Sequence, residues 1–414
     1  MSLQLPLSIK QFSFRLISLF VLLFILTFPF TLNYAPNIPA FLAPHFEAWA
    51  KWTAIHIFNL SISNTYQILS DSTGLYIHLL HIFLLTLTGS FLWELKDKNT
   101  NYHRLHHWFN TMVAYYLSLQ LFIYGFNKIF KWQFYLPEPN TLFTPLGETH
   151  QDLLFWSTMG TSYPYTFFSG LIEIIPAFML LFKRTRLLGA IIACGVMINV
   201  VALNFSFDIS VKVFSIFLLA LCVILILPYA KQLLQLFIYQ QKAELKLWQP
   251  VYSHRQNKIH VLAKSALIVL ILFDVLSPYF IAHNFNDDVR ERPPLHGAYT
   301  TTLFIKNGDT LAPLLTNKRY IKRVFINRAG YFITQTVDDV MIDYKLSYET
   351  ENILKLNNYY INKPSSLTFN QTTDSTLQFE GVLDNDTVLI RTQKINLQQL
   401  PLLRKEFNWT IDGY

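Results

Sequence analysis

The chain has 414 residues, of which 52% are hydrophobic and 16% aromatic, while only 14% are charged; its formal net charge is +7. A soluble domain carries about 25% charged residues, so the sequence is short of the polar surface that folding in water requires. No nucleotide-loop, zinc-protease or hydrolase-elbow motif is present. The two cysteines, Cys194 and Cys222, both lie inside apolar runs, which excludes a disulfide framework, a zinc ribbon and a water-exposed thiol nucleophile.

A bilayer core about 30 Å thick is crossed by roughly 20 apolar residues of helix. Seven stretches satisfy this, near 12–33, 74–94, 109–130, 163–182, 187–206, 211–230 and 261–282. The first reads as an anchor, because it is too long for a signal-peptide core and Pro36 and Pro39 crowd the place of a cleavage site. Residues 39–61 are apolar but interrupted by Glu47, Lys51 and His56, which suggests an interfacial or re-entrant helix. Positive charge in short loops sets the orientation. With the N-terminus inside, the inner segments carry thirteen cations: Lys10, Arg15, Lys96, Lys98, Arg104, Lys183, Arg184, Arg186, Lys231, Lys242, Lys246, Arg255 and Lys258. The outer loops carry three, Lys51, Lys131 and Lys212. The reading is a multi-pass protein of the bacterial inner (cytoplasmic) membrane, with a cytoplasmic N-terminus and a periplasmic C-terminal domain. The basic excess is thereby assigned to membrane topology, and nucleic acid is not expected as a partner.

Residues 285–414 differ abruptly. They hold 15 Lys+Arg and 15 Asp+Glu, and short β-branched and aromatic runs from His296 onward. Turn signals separate the runs at Asn307-Gly308-Asp309, Arg328-Ala329-Gly330, Asp338-Asp339, Glu349-Thr350-Glu351 and Asp384-Asn385-Asp386. The pattern predicts eight or so antiparallel strands in a small barrel or sandwich, lipocalin-like by first choice. Such a domain either holds an apolar ligand or has a filled core and docks a periplasmic protein. The fold class is thus an α-helical integral membrane protein with a C-terminal all-β domain. The divisions fall at 1–95, 96–240, 241–284 and 285–414.

Ionisable groups inside hydrocarbon are costly and mark sites. Lys128, Glu173 and Asp274 fall in the outer half of their stretches, as do Asn199 and Asn204, with Asp208 and Lys212 following in the next loop. Lys128 either snorkels to the surface or pairs with Glu173, which is too deep and too short to escape. His78 and His81 share one helix face and are candidate cofactor contacts or interfacial hydrogen bonders. His103, His106 and His107 read as solvated beside lipid headgroups, and Lys183-Arg184-Thr185-Arg186 as a topology determinant. No metal site is expected.

The segments YYLSLQLFIYGFNKIFKWQF (Tyr115–Phe134) and YTFFSGLIEIIPAFMLLFKRTRLLGAIIACGVMINVVALNF (Tyr165–Phe205) resemble the DoxX family of small bacterial membrane proteins. Gly125 with Lys128 and Gly170 with Glu173 match that family's Gly-x-x-Lys and Gly-x-x-Glu helices, over roughly residues 100–240. The family is similar to the membrane parts of HTTM proteins and vitamin K-dependent carboxylases. The whole arrangement resembles the longer DoxX-like proteins of Bacteroidetes. The resemblance implies a four-helix core and oxidoreductase chemistry linked to membrane quinone. This chain departs from it at Ile174-Ile175-Pro176, where the family has small glycines, and in lacking a cysteine in its outer domain.

Two functions follow as expectations. One is an oxidoreductase-type protein in which Lys128, Glu173 and Asp274 act on a quinone in a pocket also lined by Asn199, Asn204, Asp208, Lys212, His78 and His81. The other is a non-enzymatic envelope protein whose bundle, embedded in membrane lipid, anchors a lipid- or protein-binding β-domain.

Overall fold

In the computed structural model the described residues are 7–28, 32–34, 37–60, 68, 70–97, 102–245, 248, 250–358, 363, 365–373, 375–404 and 409–410. Pro36, Lys98 and Lys246, used in reading the topology, lie outside them. The chain forms two compact units, residues 1–133 with 167–285, and residues 134–166 with 286–414.

The helices are α1 (Leu7–Thr27), α2 (Ile38–His56), α3 (Thr73–Lys96), α4 (His103–Ile129), α5 (Gln151–Thr161), α6 (Tyr163–Leu181), α7 (Arg186–Ser206), α8 (Lys212–Ile226), α9 (Ala230–Phe237) and α10 (His254–Ile281). Among the described residues, six helices are long and apolar enough to cross a membrane: α1, α3, α6, α7, α8 continued into α9, and α10. The seventh expected span, α4, is 27 residues long, about 40 Å of helix, yet its composition falls short. The reason lies in packing. Val113, Ala114, Leu117 and Phe122 of α4 are fully buried among neighbouring helices. A helix screened from lipid can carry Gln120, Asn127 and Lys128.

Contacts fix the helix directions. Arg15, Leu19 and Thr27 of α1 meet Glu94, Gly89 and His78 of α3 respectively, so these two run antiparallel. Phe24 of α1 and Phe28 just beyond it meet Phe217 and Phe214 of α8, also antiparallel. Ser118 and Ile129 of α4 meet Ala177 and Gly170 of α6, again antiparallel. Asn127 of α4 and Trp132 just beyond it meet Tyr279 and Asn284 at the end of α10, so α4 and α10 run the same way. Helix α2 behaves differently: its Phe46 touches His78 of α3, while Trp49 and Thr53 both touch His81. Eight residues of α2, Phe46 to Thr53, map onto four of α3, His78 to His81, so α2 crosses its neighbour rather than running alongside it.

In the second unit the strands are β1 (Gly297–Lys306), β2 (Asp309–Leu311), β3 (Ile321–Ile326), β4 (Tyr331–Thr336), β5 (Met341–Thr350), β6 (Ile353–Asn357), β7 (Ser365–Thr373), β8 (Thr376–Leu383) and β9 (Asp386–Lys394). All pairings are antiparallel between sequence neighbours, except that β1 also pairs with β3, and β9 returns to β1. Eight strands therefore close into a barrel, and the short β2 hangs on β1 as a hairpin. Closure removes the exposed edge that would otherwise invite pairing with another chain. The five turn signals fall where the strands reverse. Asn307-Gly308 and Asp384-Asn385 have positive φ at both positions, which is the two-residue hairpin geometry.

The barrel interior is filled. Phe332, Phe379, Tyr344 and Tyr299 are buried, and Phe332 meets Phe379 edge-to-face at 5.4 Å. The segment 134–166, placed by sequence within the four-helix core, instead belongs to this unit. Phe143 stacks on Phe325 at 5.6 Å and Arg323 lies over the Phe143 ring at 4.6 Å. Glu138 forms an ion pair with Arg328 and accepts its backbone N–H at 3.1 Å.

Candidate functional site

The glycines of the two short motifs explain how Lys128 and Glu173 meet. A Cβ on Gly170 would lie 2.6 Å from the carbonyl oxygen of Gly125, so α4 and α6 touch backbone to backbone there. Each ionisable residue follows its contact glycine by three positions, one turn further along its own helix. Because the helices are antiparallel, those turns diverge, but side chains lean toward the N-terminus of their own helix. Lys128 and Glu173 therefore lean toward each other. The ammonium donates to both carboxylate oxygens at 2.7 Å, with both residues buried. The Lys128 ammonium also lies 5.7 Å from the Tyr124 ring.

The remaining candidates are not gathered around this pair. Asp274 is buried elsewhere: its carboxylate accepts the Tyr34 backbone N–H, and its carbonyl accepts from Asn33, both at 2.9 Å. Asn199 is exposed on α7, while Asn204 is buried on the same helix. Asp208 pairs with Lys212 at 2.7 Å on the surface. Asp71 accepts the backbone N–H groups of Lys212 and Val213 at 2.7 and 3.0 Å, capping α8 from another segment. His78 binds Thr27 and His81 binds Thr53, each at 2.9 Å through Nε2, so the two histidines tie α3 to α1 and to α2. Among the described residues no group of three His, Cys, Asp or Glu side chains could hold a metal. Lys131, counted as an outer-loop charge, is fully buried.

Among the cavities of the helical unit is one of about 1010 Å³ between α4 and α10, which neither Lys128 nor Glu173 borders. Its long wall is apolar, with Met112, Leu119, Leu267 and Ile271. His107, Lys183, Arg186 and Lys264 lie at one end, and Asp274 and Tyr34 at the other. A neighbouring cavity of about 230 Å³ shares His107, Lys183 and Arg186. Of the residues given a site role from sequence, Asp274 alone lines the larger cavity. The basic end was read as loop charge and headgroup contact. What could have revealed it is that basic residues near the start of α4, at the start of α7 and eleven residues into α10 fall toward one end of helices that run the same way.

The fold and these sites define a multi-pass helical membrane protein carrying a closed β-barrel. No family model matches the chain, and no solved structure matches it. It is 34% identical over 111 residues to the uncharacterized protein YwoB of Bacillus subtilis (strain 168), a match covering 27% of this chain and 70% of YwoB. The chain belongs to the family of that protein.

Proposed function

We propose that this chain is a DoxX-like protein of the bacterial cytoplasmic membrane, whose bundle anchors the barrel unit on the periplasmic side for docking of a protein partner. The observation that carries the reading is the alternation of helix directions. Taken in order, α1, α3, α4, α6, α7, α8 and α10 reverse at each step, with α6 and α7 joined by the tight turn at Lys183–Thr185. The cations Arg15, Lys96, Arg104, Arg184, Arg186, Arg255 and Lys258 then collect at the end where α1 begins. That is the end the positive-inside rule assigns to the cytoplasm. The crossing geometry of α2 supports an interfacial helix and leaves this alternation intact. The filled barrel favours its outer surface as the binding element.

The test is a reporter fused after Tyr414 together with cysteine labelling at Ser253. An active periplasmic reporter and a Ser253→Cys protected from outside reagent are expected. A cytoplasmic reporter would sink the reading. An oxidoreductase role has a second claim through the cavity beside Asp274, which is large enough for a quinone ring and tail. Saturable quenching of Trp108, which lines that cavity, on quinone titration is its expected signature.

A further inference from the structure

The basic end of the α4–α10 cavity gathers basic side chains from α4, α7, α10 and the turn before α7. Arg186 donates to two neutral oxygens, the Leu180 carbonyl at 3.2 Å and the Thr111 hydroxyl at 3.3 Å. The Lys264 ammonium lies 4.6 Å from the Phe182 ring, a cation–π contact with no anion in it. Lys183 and His107 complete the cluster, flanked by Tyr115, Tyr252 and His260. Among the described residues bordering the cavity, Asp274 is the one carboxylate. It lies ten residues along α10 from Lys264, about 15 Å away, and is already engaged by Tyr34. Several basic groups thus converge, Lys183 exposed and His107, Arg186 and Lys264 half-buried, with no carboxylate among the described residues lining that end.

Beyond that end the wall is apolar for about 15–18 Å, the rise of α10 from Lys264 to Asp274 and of α4 from His107 to Leu119. This is roughly half the hydrocarbon thickness of a bilayer, the depth of one leaflet. The volume stands at the upper end of small-molecule pockets, which run to about 1,000 Å³. An apolar channel of leaflet depth with a cationic mouth, continuous through His107, Lys183 and Arg186 with a second, smaller chamber, has two chemistries in series. We infer that it binds one anionic lipid, with the phosphate head among His107, Lys183, Arg186 and Lys264 and the chain lying along α4 and α10 toward Asp274. A neutral quinone would fill the channel but leave the cations unanswered, and free phosphate would answer the cations but leave the channel empty.

The test uses the full-length protein, delipidated in detergent and titrated with phosphatidylglycerol, phosphatidylcholine, a ubiquinone or inorganic phosphate. Trp108 fluorescence and native mass spectrometry read occupancy. Phosphatidylglycerol is expected to bind as a single retained lipid, about tenfold or more tighter than phosphatidylcholine, whose quaternary ammonium sets a like charge beside the cations. Lys264→Gln weakens phosphatidylglycerol by about tenfold and narrows its margin over phosphatidylcholine. Leu267→Trp narrows the apolar channel without touching a charge and abolishes retention of phosphatidylglycerol, so the proposal does not rest on one variant that alters the basic cluster. Equal binding of phosphatidylcholine or of the quinone would overturn it. So would displacement of the lipid by equimolar inorganic phosphate, or wild-type retention by both variants.

Discussion

Lys128 in the helical unit meets one anion, whereas Arg328 in the β unit meets two. The Lys128 ammonium answers both oxygens of Glu173, and the surroundings are Gly125, Gly170, Ile174 and the Tyr124 ring. Arg328 contacts Glu138 and Asp287 together, while Arg292 also reaches Asp287 and His296 reaches Glu138. For this buried pair a single counterpart suffices, because every further ion would need its own compensation. In the β unit, where these side chains are partly exposed, charges can be shared. The first arrangement is brittle and the second redundant.

The largest effect should come from breaking the brittle pair. Glu173→Gln leaves the Lys128 ammonium buried without a counter-charge and should cost about 3–5 kcal/mol of bundle stability. The double variant Lys128→Met/Glu173→Leu removes both charges and should be more stable than either single change, which a double-mutant cycle in detergent unfolding would show. Additive losses would mean the pair is not the unit that matters. The corresponding cut in the β unit, Arg328→Gln, leaves Asp287 with Arg292 and Glu138 with His296. It should cost less, about 1.5–3 kcal/mol, and lower only the barrel's melting transition.

Next in size is the contact that brings the brittle pair together. Gly170→Ala places a Cβ 2.6 Å from the Gly125 carbonyl oxygen and 3.2 Å from the Ile129 nitrogen, both backbone atoms that cannot rotate away. Separation of α4 from α6 should cost about 1–3 kcal/mol and loosen the ion pair with it. Equal melting of Gly170→Ala and wild type would show that the helices are not held at van der Waals contact.

What the sequence made legible tracks how local the determining physics is. The barrel's reversals could be read because Asn-Gly and Asp-Asn carry their own turn geometry. Pairing of Lys128 with Glu173 could be anticipated as one of two fates of Lys128, because Glu173 is too deep and too short to leave hydrocarbon. The membership of residues 134–166 in the β unit was not legible, since it depends on Phe143 meeting Phe325 and Glu138 meeting Arg328, some 180 to 190 residues away in the chain. Nor was the separation of Asp274 from Glu173 legible, because similar depth in a membrane says nothing about which helix face is turned inward. The basic mouth was missed for the same reason. His107, Arg186 and Lys264 converge only once three helices are packed side by side.

The smallest expected effect concerns acid, and it separates the units most cleanly. Burial alone would raise the carboxyl groups of Glu138 and Asp287. His296 and Arg328 outweigh it at Glu138, and Arg328 and Arg292 at Asp287, so both groups titrate below their ordinary values of 4.5 and 3.8. A carboxylate depressed in the folded state contributes stability that is present above its unfolded value and is lost as the pH falls through the folded one. The barrel transition should therefore be level from neutrality to about pH 5 and decline below about pH 4.5. Arg328→Gln removes a main cause of the depression, so its melting temperature should fall less over the same acid interval than that of wild type. A steeper acid decline in Arg328→Gln than in wild type would mean that the carboxylates draw their stabilisation from elsewhere, and the redundancy attributed to this cluster would be lost.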